Sequence, residues 1–281
     1  RQRRGAHAED RPAARRRGFL RDNRLPASRH RSCQIASMRN ADRWTESKYV
    51  RRGGRLAASR DRAEVGLGSR LVTDRVAALY EQHLPRFARG RLIDLGCGKA
   101  PLYGSYRPLV DEVTCVDWAQ SAHASPYLDR EVDLNQTLPF DDAAFDACFS
   151  NSLIEHVGTF YDQQRAAREM ARVAPVYMVQ TPHRGFPLEP HFLVPGFHQL
   201  PLWLQARLHQ RFNLGWIAAQ PDAVLARADV EQIRLLSCAQ MQRLFPHARV
   251  LREAVGPLTK SWIAVHGPQL RHVPCSGGRL H

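Results

Sequence analysis

The residues of this chain best suited to chemistry stand at the end of a short apolar run. Leu92-Ile93-Asp94-Leu95 leads directly into Gly96-Cys97-Gly98. Two glycines one residue apart, after a strand, let backbone N–H groups come close to a nucleotide, because glycine has no Cβ. A dinucleotide turn needs a third glycine three positions after Gly98, and that position is Pro101. A carboxylate at Asp94 would also repel a pyrophosphate, whereas it could orient the cationic amino end of an amino-acid-bearing nucleotide. A second acid, Asp117, closes the next apolar run, about 20 residues past the turn, where a carboxylate accepts hydrogen bonds from ribose hydroxyls. Trp118 beside it can lie on an adenine face or cap the sheet.

Strand-end logic adds Ser150, Asn151, His156 and His183, since ligands of open α/β sheets gather at the carboxyl ends of strands. His183, with its near-neutral pKa, is the first choice for a general base. Its alternative role is hydrogen bonding within a Pro-rich loop. His183, Glu189, His191 and His198 are irregularly spaced with prolines between them, so no metal site is expected there.

The motifs together resemble the class I S-adenosylmethionine-dependent methyltransferases. Asp94-Leu95-Gly96-Cys97-Gly98 is similar to the first motif of that family, Asp-x-Gly-x-Gly after a hydrophobic strand. Asp133-Leu134 through Leu138-Pro139-Phe140 resembles its adenine-binding region, and Phe145-Asp146 its lead into strand four. Ser152-Leu153-Ile154-Glu155-His156-Val157 resembles the Leu-Glu-His-Val box of many small-molecule ("type 11"-like) members. The resemblance spans roughly 65–266 and is strongest over 91–183.

It implies an α/β fold: a doubly wound, Rossmann-like seven-stranded sheet, mostly parallel, with an antiparallel C-terminal hairpin, in three α/β/α layers. The implied strand order is 3-2-1-4-5-7-6. The implied cofactor is S-adenosyl-L-methionine, held by Asp94, Gly96, Cys97, Gly98, Asp117, Trp118, Asp133, Leu134 and Asn151. Asp133 would accept from the adenine amino group, with a neighbouring backbone N–H on a ring nitrogen. A surface aspartate is the alternative for that residue.

Two absences narrow the acceptor. No Asn/Asp-Pro-Pro-Tyr follows strand four, and Thr181-Pro182-His183 after strand five offers no cysteine nucleophile. What remains favoured is O-methylation of a small-molecule or saccharide acceptor. The alternatives are a cofactor-binding regulatory or assembly subunit without turnover, and an RNA or protein methyltransferase.

Charge distribution argues against a nucleic-acid partner. The net charge is +14, yet residues 1–62 hold 19 Lys and Arg against 6 Asp and Glu, and the rest holds 22 against 21. The domain carrying the motifs therefore lacks the basic footprint of a nucleic-acid enzyme. The six cysteines form no Cys-x-x-Cys pair, which opposes a zinc ribbon and a disulfide framework and fits a reducing cytoplasm. No apolar run approaches a membrane span.

Stepping outward along the chain, residues 1–37 read as a disordered Arg-rich leader or a mis-assigned start, with a transit peptide as the competing reading. Residues 38–64 form an N-terminal extension, expected over the cofactor or substrate mouth, with a turn at Gly53-Gly54. The methyltransferase domain covers 65–266, and 267–281 is a tail. A helix over 69–84 closed by Pro85 precedes strand one; strand three is expected at 130–134 and a helix at 231–245. Residues 181–237 are an insertion, rich in aromatics and longer than an ordinary connection, expected to act as a lid. Within it Leu200, Trp203, Leu204 and Leu208 share one helical face, which could instead be a satellite core or touch a membrane surface beside Arg207 and Arg211.

Overall fold

The computed structural model describes residues 44–65, 70–118, 125–188, 191–215 and 217–267. The expectations for 1–37, for Glu189 and for the tail beyond Gly267 lie outside the described residues.

The glycine-turn strand, β3 (Arg91–Leu95), is an interior strand, third in a seven-stranded sheet, with its apolar residues buried. β1 (Tyr49–Arg52) and β2 (Arg55–Ala58) form a separate hairpin ahead of it. The sheet continues with β4 (Glu112–Asp117), β5 (Leu128–Glu131), β6 (Ala147–Asn151), β7 (Tyr177–Pro182), β8 (Arg249–Val255) and β9 (Leu258–His266), in the order β5-β4-β3-β6-β7-β9-β8. The first five strands of that order pair in parallel, while β9 is antiparallel to both β7 and β8. This is the topology expected of class I methyltransferases. The order reverses at β3, so a crevice opens beside its carboxyl end.

One face of the sheet packs on α1 (Arg70–Phe87) and the short α2 (Tyr103–Tyr106), through Tyr80, Leu84, Phe87, Tyr106 and Phe149. The other face packs on α3 (Phe160–Val173) and α6 (Cys238–Leu244), through Ile93, Cys148, Met170, Met241 and Phe245. α3 starts at a capping box in which Thr159 accepts from the Asp162 amide and Asp162 accepts from Thr159 N. The Gly53-Gly54 turn closes the β1–β2 hairpin with both residues at positive φ, as a two-residue hairpin loop requires.

The structure corrects four local expectations. α1 runs through Pro85 to Phe87, because a proline so near the end forfeits a single helical bond and the last turn still closes, Ala88 N donating to Leu84 O at 2.8 Å. β5 occupies 128–131 in place of 130–134; the chain after it turns at Asp133, whose Oδ1 accepts from Asn135 N at 2.8 Å. The helix expected over 231–245 is confined to its second half, α6. α5 (Ala223–Glu231) ends first, and Leu236 bridges to His183 before Ser237 caps α6.

The fourth correction concerns the insertion. α4 (Leu202–Arg211) buries Gln205, Ala206 and His209, while Trp203 is 67% exposed. The polar residues tolerate burial because each is bonded: Gln205 Nε2 donates to Leu200 O at 2.7 Å, and His209 Nε2 meets Asp229 Oδ2 of α5 at 2.9 Å. A satellite core does exist there, built on Phe192, Phe197, Leu214 and Val230, with Leu200, Leu202 and Leu208 against it.

Candidate functional site

The glycine turn after β3 is tied to β4 by its backbone. Gly96 N and Cys97 N both donate to Val116 O, at 2.8 and 3.2 Å, and Gly98 N donates to Asp117 Oδ2 at 2.8 Å. Gly96 and Gly98 hold φ of 74° and 50°, and a Cβ built on Gly98 would meet nothing within 4 Å. At Gly98 the turn therefore presents bare backbone to open space, which is what close approach of a ligand requires, whereas a Cβ on Gly96 would meet the Leu153 side chain at 2.7 Å.

That space is a cavity of about 460 Å³ lined by Asp94, Gly96, Cys97, Gly98, Phe149 and Asn151, among others. Its size suits a small-molecule site, for which about 300–1,000 Å³ is usual. Ser47, Lys48, Ala63 and Glu64 of the N-terminal extension also line it. Ser152, on its wall, has φ 54°, and Ala100, in the same turn as Gly98, has φ 47°. Strained non-glycine backbone of this kind clusters at functional sites.

The buried carboxylate of the cavity is Asp94. It is 3% exposed and accepts a hydrogen bond on Oδ2 from Tyr106 Oη at 2.5 Å. Burial raises its pKa to about 7; the Tyr106 hydrogen bond opposes the rise and the charge of Asp117 adds to it. Asn151 is held in place by Tyr80, whose hydroxyl donates to Asn151 Oδ1. Asp117 is buried and accepts from two amides, Gly98 N on Oδ2 and its own Trp118 N on Oδ1 at 2.9 Å.

Of the nine residues expected to hold a cofactor, Asp94, Gly96, Cys97, Gly98 and Asn151 line the cavity together. Asp117 stands directly behind Gly98. Trp118 is 42% exposed, and neither it nor Asp133 nor Leu134 is in the lining. Sequence reasoning missed Tyr106 and Tyr80, which fix the two polar side chains, because nothing local marks a tyrosine 12 or 71 residues away as a partner.

His183 leaves β7 on the side of β9, outside that lining. Its N–H donates to Lys260 O at 2.7 Å, its Nδ1 meets Thr259 O at 3.2 Å, and its ring meets Trp262 edge-on. Burial lowers its pKa, the Thr259 bond raises it and the charge of Arg252 lowers it. Ser150 is fully buried.

Residues 93–175 match the family model described as "Methyltransferase domain". That stretch runs from β3 through α3 and includes the turn, Asp117 and the Glu155-His156 box. The chain carries a class I methyltransferase domain. Its cofactor is S-adenosylmethionine, and the cavity fits that group: bare turn, buried carboxylate and open volume coincide.

No curated protein sequence matches the chain. Solved structures resemble the methyltransferase chain at low identity. The YcgJ protein of Bacillus subtilis is 16% identical, over 62% of this chain and 70% of its own, with a TM-score of 0.39. The PH0226 protein of Pyrococcus horikoshii is 17% identical, over 73% and 93%, at 0.44. DhpI, solved as a complex with SAH, is 17% identical, over 71% and 88%, at 0.42. At these scores the likenesses carry no argument about activity.

Proposed function

We propose that this methyltransferase transfers a methyl group to a hydroxyl of a small-molecule or saccharide acceptor. The observation that carries the cofactor half of the proposal is Asp94, a buried carboxylate at the glycine-turn cavity. In this reading Asp94 receives the cofactor's amino end, the backbone of Gly96, Cys97 and Gly98 lies along it, and Asp117 takes the ribose hydroxyls. Trp118, Asp133 and Leu134 serve the adenine end, and Asn151 borders the sulfonium side. Bound S-adenosylmethionine supplies an activated methyl group, whose transfer to an acceptor oxygen leaves S-adenosylhomocysteine.

The chain's own task is then to position the acceptor, exclude water and remove one proton. His183 is proposed as the base. A carbonyl can only accept, so the bond to Thr259 O fixes the proton on Nδ1 and makes Nε2 the basic nitrogen. Its lowered pKa keeps it neutral and ready to accept at neutral pH. His183→Ala is expected to lower kcat by about 10²–10⁴-fold with cofactor affinity kept. Unchanged kcat would remove His183 from the chemistry.

The insertion over 181–237 is proposed as the lid that sets acceptor choice. Trp203 and Phe212, 67% and 55% exposed, contribute little to its core. Replacing both by alanine should change stability by no more than about 0.5 kcal/mol. A lid predicts lost turnover in that variant with cofactor affinity intact. Normal turnover contradicts it, and weakened binding to anionic vesicles would favour a membrane-facing role for the same residues.

No helix of the described residues is long and apolar enough to cross a membrane. Cys97, Cys115 and Cys148 are buried free thiols, which supports a reducing, cytoplasmic setting as part of the proposal. Release of S-adenosylhomocysteine with a panel of hydroxylated acceptors tests the reaction class. Cofactor binding without any release, across that panel, would favour a regulatory subunit.

A further inference from the structure

The fold brings together three metal-ligating side chains that are far apart in sequence. Glu155 and His156 sit on the 3-10 turn Ile154–His156 that follows β6, and His191 comes from the insertion 35 residues on. His156 Nε2 and His191 Nε2 are 3.2 Å apart, with the two rings at 89° to each other. A carboxylate oxygen of Glu155 and both imidazole nitrogens lie within 4.8 Å of one another. We propose that Glu155, His156 and His191 form a site for a divalent transition metal, zinc by its donor set, with one position left open.

Two nitrogens bound to a tetrahedral zinc at about 2.0–2.1 Å each stand about 3.3 Å apart, close to the spacing found here. Two histidines and one glutamate around an open fourth position is a donor set that catalytic zinc uses. The glutamate is fully buried and oriented: Thr181 Oγ1 donates to its Oε2 at 2.9 Å, and Arg234 N donates to its backbone oxygen at 2.7 Å. Outer contacts of this kind aim a ligating carboxylate and raise metal affinity. Two of the ligands belong to the end of β6 and the third to the insertion, so a bound metal ties the insertion to the sheet. The irregular spacing that argued against a metal in the sequence concerned His183, Glu189, His191 and His198; of these only His191 is in the set, and its partners Glu155 and His156 come from the other side of β7 in the sequence.

The metal's role, unlike the site itself, rests on the methyl-transfer reading. The open position takes the acceptor's hydroxyl oxygen and lowers its pKa. The O–H proton would pass to His183, and the oxygen lone pair would form the new C–O bond as the methyl C–S bond breaks, its electron pair leaving on the sulfur of S-adenosylhomocysteine.

The test uses the full chain, stripped with a chelator and titrated with Co²⁺ as a visible probe, then with Zn²⁺. One Co²⁺ should bind per chain, with the ligand-field absorption of a four- or five-coordinate ion, and Zn²⁺ should displace it. His156→Ala and His191→Ala should each abolish that absorption, while His183→Ala should keep it. Thr181→Val should weaken Co²⁺ binding by about 10–100-fold. Circular dichroism confirms that the variants are folded; His191, on a loop, is the replacement least able to disturb the sheet. Absence of stoichiometric Co²⁺ binding by the folded native chain would overturn the site and make the two imidazoles a simple hydrogen-bonded pair. So would Co²⁺ binding unchanged in His191→Ala. S-adenosylmethionine titrated into the same samples separates the two ideas: a chain that binds cofactor but no metal loses only the metal site.

Discussion

Asp117→Ala is expected to lower the affinity for S-adenosylmethionine at least tenfold, about 1.4 kcal/mol. The residue acts twice over. Its carboxylate is the proposed ribose acceptor at the end of β4, and its Oδ2 holds Gly98 N at 2.8 Å, fixing the turn on which the cofactor lies. Alanine removes both and leaves two part-buried amides, Gly98 N and Trp118 N, without the oxygens that now accept from them. That costs the apo protein about 1–3 kcal/mol of stability as well, so affinity is to be measured well below the melting temperature. Asp117→Asn retains one carbonyl acceptor and should fall between the two. Native-like calorimetric affinity in folded Asp117→Ala would remove the ribose assignment.

The second large effect is a pH dependence set by Asp94. Burial, opposed by Tyr106 and assisted by Asp117, brings its pKa to about 7. In the unfolded chain an aspartate titrates near about 3.9. Between those values the folded protein holds a proton that the unfolded chain has released, so stability falls as pH rises through this window and is lowest above about 7. Cofactor binding runs the opposite way, because the amino end needs the carboxylate. The ionised fraction of a group with this pKa grows about tenfold from pH ~6 to pH ~8, and affinity should rise on that order. Asp94→Asn should flatten both profiles and bind weakly throughout. Tyr106→Phe removes the bond that holds the pKa down, so the midpoint should move to higher pH. A native affinity that is flat across the window would place the amino end elsewhere.

Much of this site was legible in the sequence because its signals are local. A buried parallel strand, a glycine turn and an acid at the next strand end follow from short-range patterning of Leu92 to Gly98 and of Val113 to Asp117. The Glu155-His156 box follows β6 in the same local way. Contacts closed by the fold were not legible. The resemblance placed the N-terminal extension over the mouth, but no periodicity singles out Lys48 and Glu64 as residues that line the cavity. His191 meets His156 only after the insertion folds back. The buried face of α4 was misread for a different reason: apolar spacing favoured Trp203, while Gln205 and His209 go inside bonded to Leu200 O and to Asp229.

Hydrogen exchange of the full chain, with and without S-adenosylmethionine, tests the central claim most directly. The account predicts that cofactor slows exchange in peptides covering 94–102 and 149–152, together with 47–48 and 63–64 of the extension, since these residues line one cavity. Peptides from α4 and α5 should change little without acceptor. Protection concentrated in the insertion, with the glycine turn unaffected, would contradict the assignment of the cofactor to this cavity.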